Sequence, residues 1–422
     1  MQSNELVCSP RLPKAAGNER AIAERCAGNV LQAALLTGGW DRPYAIGMAL
    51  ALSSHDIRVD FIGSDELSTP ELLNNPQVSF LSFLGLFGPE TGLVAKIWKV
   101  AAYYLRLVSY AATAKPKLFH ILWNNKFEFF DRTVLMLYYK LLGKRVVFTA
   151  HNVNARKRDA NDSLLNRLSL RIQYILSDHI FVHTESMKTE LVSDFGIPAK
   201  KVSVIPFGIN NTVPNTKLTS MEAKNRLNVN VADKTLLFFG NITSYKGLEY
   251  LITAFTELAR KDRSYRLIIA GNPKGSDDYC NQIRQAISQS EVGDRIIQRI
   301  EYIPDEETEV YFKAADVLVL PYTRIFQSGV LFLGYGFGLP VIAADVASLK
   351  EEIIEGESGF VFRPRESADL ARAICQYFES KLFRELESRR EHIKHYANER
   401  YSWDKVAAIT TTVYSRLLTT DY

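Results

Sequence analysis

Two segments of the chain decide its fold: KTLLFFGNITSYKGLEYLITAF at residues 234–255 and ADVLVLPYTRIFQSGVLFLGYGFGLPVIAADV at residues 315–346. In each, a short apolar run breaks at a Gly or Pro turn and then resumes with helical spacing, which predicts a strand, a loop and a helix. A loop that opens a helix at the carboxyl end of a parallel strand presents backbone N–H groups and the positive end of the helix dipole. Such a loop suits a phosphate.

The same alternation continues along most of the chain. We predict strands at LQAALLTGG, RVDFIGSD, LFHILWNN, RVVFTAHN, HIFVHTE and VSVIPFG in the first half, and at LLFFG, YRLIIAG, IIQRIEYI, DVLVLPY, PVIAADV and GFVFRP in the second. Strands that alternate with helices form parallel sheets covered on both faces. The sequence therefore predicts an α/β fold with two tandem Rossmann-like domains facing a central cleft, followed by a helical C-terminal tail.

A chain of 422 residues exceeds what one hydrophobic core usually supports, so two domains are expected. A break in composition, rich in Asn, Pro and Thr, separates the two series of strands. We expect a loose N-terminal tail at residues 1–28, an N-terminal domain at 29–208, a linker at 209–233, a C-terminal domain at 234–400 and a C-terminal helix at 401–422. Doubly wound domains bind ligands at the carboxyl ends of their strands, so the cleft is the expected site.

Composition and charge exclude several classes of protein. A net charge of +4 gives no reason to expect a nucleic-acid partner. The four cysteines lie far apart without C-x-x-C spacing, which favours free thiols in a reducing cytosol over a zinc site or a disulfide scaffold. No apolar run reaches the roughly 18 to 20 uncharged residues of a transmembrane helix, and the N-terminus lacks the apolar core of a secretory signal. We therefore expect a cytoplasmic protein.

The quoted segments, with EIIEGESGFVFRP at residues 352–364, resemble the donor domain of family 4 retaining glycosyltransferases, which have the GT-B fold. The N-terminal domain of that family is similar to TGGWDRPY, FTAHN, FVHTESMKTEL and VSVIPFGIN, at residues 37–44, 148–152, 181–191 and 202–210. The resemblance implies an enzyme that moves a sugar from a nucleotide diphosphate to an acceptor hydroxyl with retention of configuration, in surface polysaccharide or lipid-linked glycan synthesis. Family members need no bound metal, and this sequence contains no D-x-D pair for one. We expect no cofactor besides the nucleotide sugar.

The resemblance also indicates site residues. Lys246 matches a Lys-Gly of the family and would neutralise the departing diphosphate, although a solvated loop lysine is the alternative. His151 stands where family members have a histidine close to the reacting sugar, and the alternative is a histidine at a strand end. The other donor-site residues that we predict are Gly240, Asn241, Gly247, Tyr302, Ile303, Arg324, Gln327, Ser328, Gly329 and Val330.

The sequence departs from the family pattern at positions that matter for the donor. Asn241 replaces the usual Arg, and Arg324 could substitute for its charge. Ile325 and Leu333 replace two glutamates that bind the donor sugar and the ribose, which leaves Gln327 as a side chain for donor hydroxyls. Two alternatives therefore stay open: a non-catalytic sugar-nucleotide-binding partner of another transferase, and a transferase for a small soluble acceptor.

On the acceptor side, Gly38 and Gly39 form the turn after the first strand, where the backbone can approach a ligand. Arg156 and Arg158 lie just past His151, and either a solvated charge run or contact with an anionic acceptor such as a lipid diphosphate explains them. No combination of the seven histidines suggests a metal site, and His120 and His183 lie within apolar strands, where we expect core residues.

The predicted helix at residues 92–114 bears on whether the protein contacts a membrane. One face carries Lys96, Lys99, Tyr103, Arg106 and Tyr110, and the opposite face carries Val94, Ile97, Ala101, Leu105 and Val108. An ordinary helix would bury the apolar face. Exposed basic and aromatic residues would also suit a peripheral contact with a membrane, which would place the protein on the inner face of the cytoplasmic membrane.

Overall fold

The computed structural model describes residues 31–38, 41–85, 92–125, 127–158, 161–209, 213–274, 277–325, 327–346 and 348–419. The first sheet is parallel and has the order β3-β2-β1-β4-β5-β6-β7; its strands are β1 (Gln32–Leu36), β2 (Arg58–Ser64), β3 (Val78–Leu84), β4 (Leu118–Ile121), β5 (Arg145–Thr149), β6 (His179–Val182) and β7 (Val202–Val204). The second is parallel with the order β10-β9-β8-β11-β12-β13; its strands are β8 (Lys234–Phe239), β9 (Tyr265–Ala270), β10 (Ile296–Arg299), β11 (Val317–Leu320), β12 (Val341–Ala344) and β13 (Gly359–Phe362). The two Rossmann-like domains are confirmed. The predicted tail at residues 1–28 lies outside the described residues.

Helices connect these strands. Those of the first half are α1 (Arg42–Ser54), α2 (Pro70–Leu73), α3 (Leu93–Thr113), α4 (Glu128–Phe130), α5 (Met136–Leu141), α6 (Ala155–Arg158), α7 (Leu164–Leu176) and α8 (Glu185–Phe195), and a π-helical turn (Asp131–Leu135) joins α4 to α5. Those of the second half are α9 (Ser220–Arg226), α10 (Leu248–Lys261), α11 (Asp277–Ser288), α12 (Asp305–Ala314), α13 (Gly329–Gly336), α14 (Ser348–Glu351), α15 (Ser367–Glu379), α16 (Lys381–Arg384), α17 (Leu386–Tyr401) and α18 (Trp403–Thr419). Within the described ranges, no helix is both long enough and apolar enough to cross a membrane.

Residues of β1 point alternately into two apolar cores, one on each face of the first sheet. Ala34 and Leu36 pack with α3, α5 and α7, whereas Ala33 and Leu35 pack with α1 and with the last helix, α18. The period-two geometry of a strand explains this division. The helical C-terminal tail therefore packs in the first domain, although it follows the second domain in the sequence.

Every predicted strand is present, and one further strand, β3, was overlooked. It lies at the edge of the first sheet and pairs with β2. All but one of its residues are half-buried, so β3 lacks the alternation of buried and exposed positions that marks a half-buried strand in sequence.

The interval 209–233, assigned to a linker by the sequence analysis, contributes a helix to the second domain. α9 begins with a capping box, in which the side chains of Thr219 and Glu222 accept hydrogen bonds from each other's backbone N–H groups. Lys224 on this helix is buried and pairs with Asp316 at 3.2 Å. This ion pair joins the interval to the residue that precedes β11.

Helix α3 buries tyrosines that the sequence analysis placed on its exposed face. Tyr103 is 7% exposed, whereas Leu105 is 70% exposed. The tyrosine hydroxyls donate to polar side chains of the domain: Tyr103 to Asn125, Tyr104 to Asp131 and Tyr110 to Asp60. A tyrosine ring buries a large apolar area once its hydroxyl has a partner, so these rings occupy the inner face instead of the aliphatic stripe. The expectation of a buried aliphatic stripe is wrong at Val94, Ile97 and Leu105, which are exposed, whereas Val108 packs against the core.

The two segments of chain that connect the domains lie side by side, one near Ile209 and the other near Tyr401. The Ile209 N–H donates to the Tyr401 carbonyl at 3.0 Å, and the Trp403 indole N–H donates to the Ile209 carbonyl at 3.0 Å. Trp403 fills a space left by two glycines, because a Cβ on Gly47 or Gly208 would lie 2.2 or 2.4 Å from its ring. The return of the chain to the first domain is therefore fixed by one indole ring.

We expect Trp403→Ala to lower the free energy of unfolding of the first domain by about 3 kcal/mol, because it leaves a cavity against α1. Urea denaturation measures this change. Trp98→Ala is the matched control, since Trp98 is 70% exposed and its loss should change the free energy by less than about 0.5 kcal/mol. Equal effects of the two substitutions would contradict the role given to Trp403.

Candidate functional site

The loops that follow β8 and β11 hold each other. Gly247 has φ +63°, and a Cβ on it would lie 2.2 Å from the carbonyl oxygen of Pro321. The backbone N–H and the hydroxyl of Thr323 both donate to the Tyr245 carbonyl, at 2.8 and 3.1 Å. The strand order reverses between β8 and β11, so these loops flank the point where an α/β sheet binds its ligand.

Lys246, Gly240 and Val330 converge at this point. Gly240 has φ +99°, and a Cβ on it would lie 3.0 Å from Lys246 Nζ and 3.2 Å from Val330 Cγ2. Gly271, at the end of β9, packs against the Gly240 backbone, since its Cβ would lie 1.9 Å from the Gly240 oxygen. The ammonium group thus lies over a glycine backbone beside the first turn of α13.

The ammonium group of Lys246 is buried without an acidic partner among the described residues. The residue is 6% exposed, and its Nζ lies 5.2 Å from the centre of the Tyr322 ring. Burial lowers the pKa of Lys246 from 10.5 to about 8, and no carboxylate within the described ranges opposes this shift. The alternative of a solvated loop lysine is wrong. An uncompensated buried ammonium is a site for an anion.

Helix α13 begins beside this ammonium group. Ser328 is its N-cap residue, is buried, and makes no side-chain capping hydrogen bond. The N–H groups of Gly329 and Val330 therefore have no partner in the helix and can receive an anion. Gly329 is exposed, and a Cβ on it would have its nearest neighbour at 3.8 Å, so packing within the protein does not require glycine there.

Gln327 presents an unused acceptor. Its Oε1 atom is buried and makes no hydrogen bond to any residue that the structure describes. The oxygen of Gln327 is therefore an acceptor available to a ligand.

Ile325 and Leu333, which replace the two glutamates of the family, have no polar side-chain groups for a donor. Leu333 is buried in the core of the second domain, and Ile325 packs against the same core. Ile303 is buried, whereas Tyr302 beside it is 70% exposed. Any contact of Ile303 with a ligand would therefore be made by its backbone.

The remaining predicted residues lie at the surface or outside the described part. Asn241 and Arg324 are exposed. Arg156 is exposed and pairs with Glu128 at 3.3 Å, so its charge is partly compensated. Gly39 and the side chain of Arg158 lie outside the described residues. Among the described residues, no cluster of three or more His, Cys, Asp or Glu side chains could hold a metal ion.

In the first domain, His151 lies in an aromatic wall. Its ring stacks on Trp123 with a centroid distance of 4.0 Å, and Tyr44 meets it edge-on at 4.6 Å. Gly38 closes the same corner, because its φ is +61° and a Cβ on it would lie 2.7 Å from the Trp123 oxygen. The structure thus brings the predicted His151 and Gly38 together, and it adds Tyr44 and Trp123, which the sequence analysis overlooked.

A second histidine fixes the tautomer of His151. His183 Nδ1 lies 3.2 Å from the Ile205 carbonyl, and His183 Nε2 lies 3.0 Å from His151 Nδ1. A carbonyl oxygen only accepts, so His183 Nδ1 carries the proton and its Nε2 accepts from His151 Nδ1–H. His151 Nε2 is then a free acceptor, and this atom is buried without a partner among the described residues.

Both rings are neutral at ordinary pH. Burial lowers the pKa of His183 to about 4. Burial and the nearby His183 and His120 rings hold the pKa of His151 well below 6.5. His120 is a satisfied core residue, as expected, with the Tyr414 and Thr149 hydroxyls at 2.6 and 2.7 Å. His183 was assigned to the core as well, but its contact with His151 was overlooked.

The lowered pKa of Lys246 should make the free energy of unfolding depend on pH. Its folded pKa of about 8 lies below the unfolded value of 10.5, so the unfolded chain binds more protons between these values. The free energy of unfolding should rise with pH over this window. We expect Lys246→Met to remove that rise and to stabilise the protein by about 3 kcal/mol at pH 7. Urea denaturation at pH 7 and at about pH 10 tests this, and a loss of stability at pH 7 would contradict it.

The tautomers and the charge state of His151 and His183 can be tested by the ¹⁵N NMR chemical shifts of labelled histidines. We expect both His151 and His183 to be neutral Nδ1–H tautomers from about pH 5 to 8, because burial keeps their pKa values low. In His183→Phe, His151 should lose this fixed tautomer, since Nδ1–H has no acceptor. A His151 titration near pH 6.5 in the unsubstituted protein would refute the assignment.

Two family models match successive parts of the chain: Glycosyltransferase Family 4 at residues 43–212 and Glycosyl transferases group 1 at residues 233–380. An uncharacterised glycosyltransferase of Methanocaldococcus jannaschii is 29% identical over 56% of this chain and 60% of that protein. A D-inositol 3-phosphate glycosyltransferase of Corynebacterium efficiens is 25% identical over 65% of this chain and 66% of that protein. The chain thus matches less than two thirds of the length of these relatives.

Solved structures share the whole fold. Sucrose-phosphate synthase from Thermosynechococcus elongatus has a TM-score of 0.71 at 19% identity, over 93% of this chain and 100% of the other. Anabaena HepE, in complex with UDP and glucose, has a TM-score of 0.71 at 17% identity, over 92% of this chain and 100% of the other. The solved structures show the GT-B fold, and the two family models, which together match residues 43–212 and 233–380, show that the chain belongs to glycosyltransferase family 4.

Proposed function

We propose that the protein is a retaining glycosyltransferase that transfers a sugar from a nucleotide diphosphate to an acceptor hydroxyl, in the synthesis of a surface polysaccharide or a lipid-linked glycan. The observation that carries this proposal is the buried Lys246 ammonium group, which lies at the reversal of strand order without a carboxylate partner. It lies beside the first turn of α13, so two sources of positive potential meet there.

A diphosphate fits this site in charge and in hydrogen bonding. Lys246 neutralises one oxygen, and the N–H groups at the start of α13 bind another. Stabilisation is greatest in the transition state, when negative charge collects on the leaving diphosphate. Because Lys246 and backbone amides supply the positive charge, we propose that the reaction needs no metal ion. The presence of UDP and glucose in the complex of the Anabaena neighbour supports a nucleotide-sugar donor.

In the transfer, the bond between the anomeric carbon and the diphosphate oxygen breaks, and the acceptor oxygen bonds to that carbon. The acceptor proton leaves on the diphosphate, the strongest base next to the reacting carbon, because the pKa of the His151 imidazole is too low for a base. His151 instead accepts a hydrogen bond from a sugar hydroxyl at Nε2. Gln327 Oε1 accepts another, in place of the glutamates that are absent here.

The acceptor binds on the first-domain side of the cleft, around Gly38 and Arg156. We propose a glycan or lipid-linked acceptor, reached from the inner face of the cytoplasmic membrane. A small soluble acceptor is the second candidate, because the Corynebacterium relative is named for D-inositol 3-phosphate. A non-catalytic partner of another transferase is the third, because Ile325 and Leu333 place no polar side chain in the donor site.

The test is donor binding and donor hydrolysis by the purified protein, starting with UDP-glucose and continuing through other nucleotide diphosphate sugars in a thermal-shift screen. We expect hydrolysis to persist in excess chelator, and Lys246→Ala to lower turnover by about 100-fold or more, because one preorganised charge is lost from the transition state. Lys261→Ala is the matched control, because this lysine is exposed on α10.

These experiments distinguish an enzyme from a non-catalytic partner and test the proposed mechanism. Binding without hydrolysis or transfer, for every sugar nucleotide that binds, would favour the non-catalytic partner. Activity that a chelator abolishes and magnesium or manganese restores would overturn the metal-free proposal. Unchanged turnover in Lys246→Ala would remove this residue from the mechanism.

A further inference from the structure

Three adjacent helical segments cover one face of the first sheet: α3, the run from α4 through α5, and α7. The Tyr138 hydroxyl donates to the Val108 carbonyl at 3.0 Å and joins α5 to α3. The Arg132 guanidinium donates to the Asn166 side chain at 3.0 Å and joins the π-helical turn to α7. We refer to the solvent side of these three segments as the outer layer.

The outer layer exposes an unusual amount of apolar surface. Its large apolar side chains that are more than half exposed are Val94, Ile97, Trp98 and Leu105 on α3, Phe127, Phe129, Val134, Leu137 and Leu141 along the run from α4 to α5, and Leu164, Leu165, Leu168 and Ile175 on α7. Single exposed apolar residues are ordinary, but adjacent stripes on neighbouring helices mark a surface that has a partner.

Basic residues outnumber acidic residues in the outer layer. Neither α3 nor α7 contains an acidic residue, and together they carry Lys96, Lys99, Arg106, Arg167 and Arg171. The two acidic residues of the middle segment do not offset them: Asp131 is buried, and Glu128 pairs with Arg132 and Arg156. Arg167 pairs with Asp162 at 2.6 Å, whereas Lys96 and Arg171 form no ion pair within the described part of the chain. An apolar surface with basic residues and no exposed unpaired acid complements an anionic lipid surface.

The outer layer reaches the rim of the cleft. Helices that connect parallel strands run back along the sheet, so α3, α4 and α7 begin near the carboxyl ends of the strands, where the candidate site lies. Trp98, Phe129 and Leu164 lie in the first two turns of these segments, and Leu164 is 85% exposed. A membrane that covers the outer layer would therefore lie beside the entrance to the cleft.

We propose that the outer layer is a docking surface for a membrane that contains anionic lipids. The aliphatic and aromatic side chains enter the boundary between head groups and acyl chains, and the basic residues contact the anionic head groups. This surface is separate from the donor site, so the inference does not depend on the proposed transfer reaction. It differs from the expectation drawn from the sequence, because the tyrosines of α3 are turned inward and the apolar residues Val94, Ile97 and Leu105 are exposed.

The test uses the full chain and flotation with vesicles of phosphatidylcholine, with and without phosphatidylglycerol. We expect binding to vesicles with phosphatidylglycerol and much weaker binding without it. Trp98→Glu combined with Leu105→Glu should weaken binding at least tenfold, because both residues enter the bilayer boundary. Lys96→Glu and Arg171→Glu should each weaken it by roughly fivefold or more, since one basic residue near an anionic surface contributes about that factor.

Matched controls come from the second domain. Val231→Glu changes an exposed apolar residue, and Lys217→Glu changes an exposed lysine; neither should alter vesicle binding. The outer-layer variants should keep the melting temperature and the binding of nucleotide sugar, which separates failure of this proposal from failure of the proposed function.

Three results would overturn the proposal. One is no binding to phosphatidylglycerol vesicles by the unsubstituted chain. Another is equal binding by the outer-layer variants. The third is a dimer in the absence of vesicles that Trp98→Glu dissociates, which would show that a second copy of the chain covers this surface.

Discussion

The second domain is arranged to keep one ammonium group, that of Lys246, out of water, and no carboxylate in the part of the chain that the structure describes pairs with it. Removing a charge from water without compensation costs several kcal/mol, so the surrounding fold must hold the lysine in place. The fold does this with backbone contacts that only glycine allows: Gly240 under the ammonium group, Gly271 against Gly240, and Gly247 against Pro321. These contacts hold Lys246 in place, so an anion that enters meets a charge already in position.

The two sides of the cleft differ in their chemistry. The second domain supplies positive charge and free N–H groups, whereas the first supplies aromatic faces and the neutral imidazole of His151. Phe207 of the first side stacks on Phe332 of α13, with centroids 5.4 Å apart and planes 19° from parallel, and so connects the two. This arrangement suits a ligand with an anionic end and an uncharged hydroxylated end, because each end meets a different domain.

Much of this architecture was predictable from the sequence, for local reasons. Apolar runs that end at Gly or Pro located the strands of both sheets, and the Lys-Gly and Ser-Gly turns located the loops that meet around Lys246. The failures have non-local causes. β3 is an edge strand with incomplete burial, and α3 turned its tyrosines inward because partners such as Asp60 and Asn125 come from distant parts of the chain. The pairing of His151 with His183 follows from the register of β5 with β6, where Thr149 lies opposite Phe181, and sheet order is not visible in the sequence.

By itself, the sequence determined the alternation of strands and helices, the glycine turns at the strand ends and the family resemblance, because each depends on residues close together in the chain. Only the tertiary structure decided that Lys246 is buried and lacks an acidic partner, that His151 keeps Nε2 free, and that α3 presents its apolar stripe to solvent. Charge state, tautomer and exposure depend on which distant groups surround a side chain, and folding alone brings those groups together.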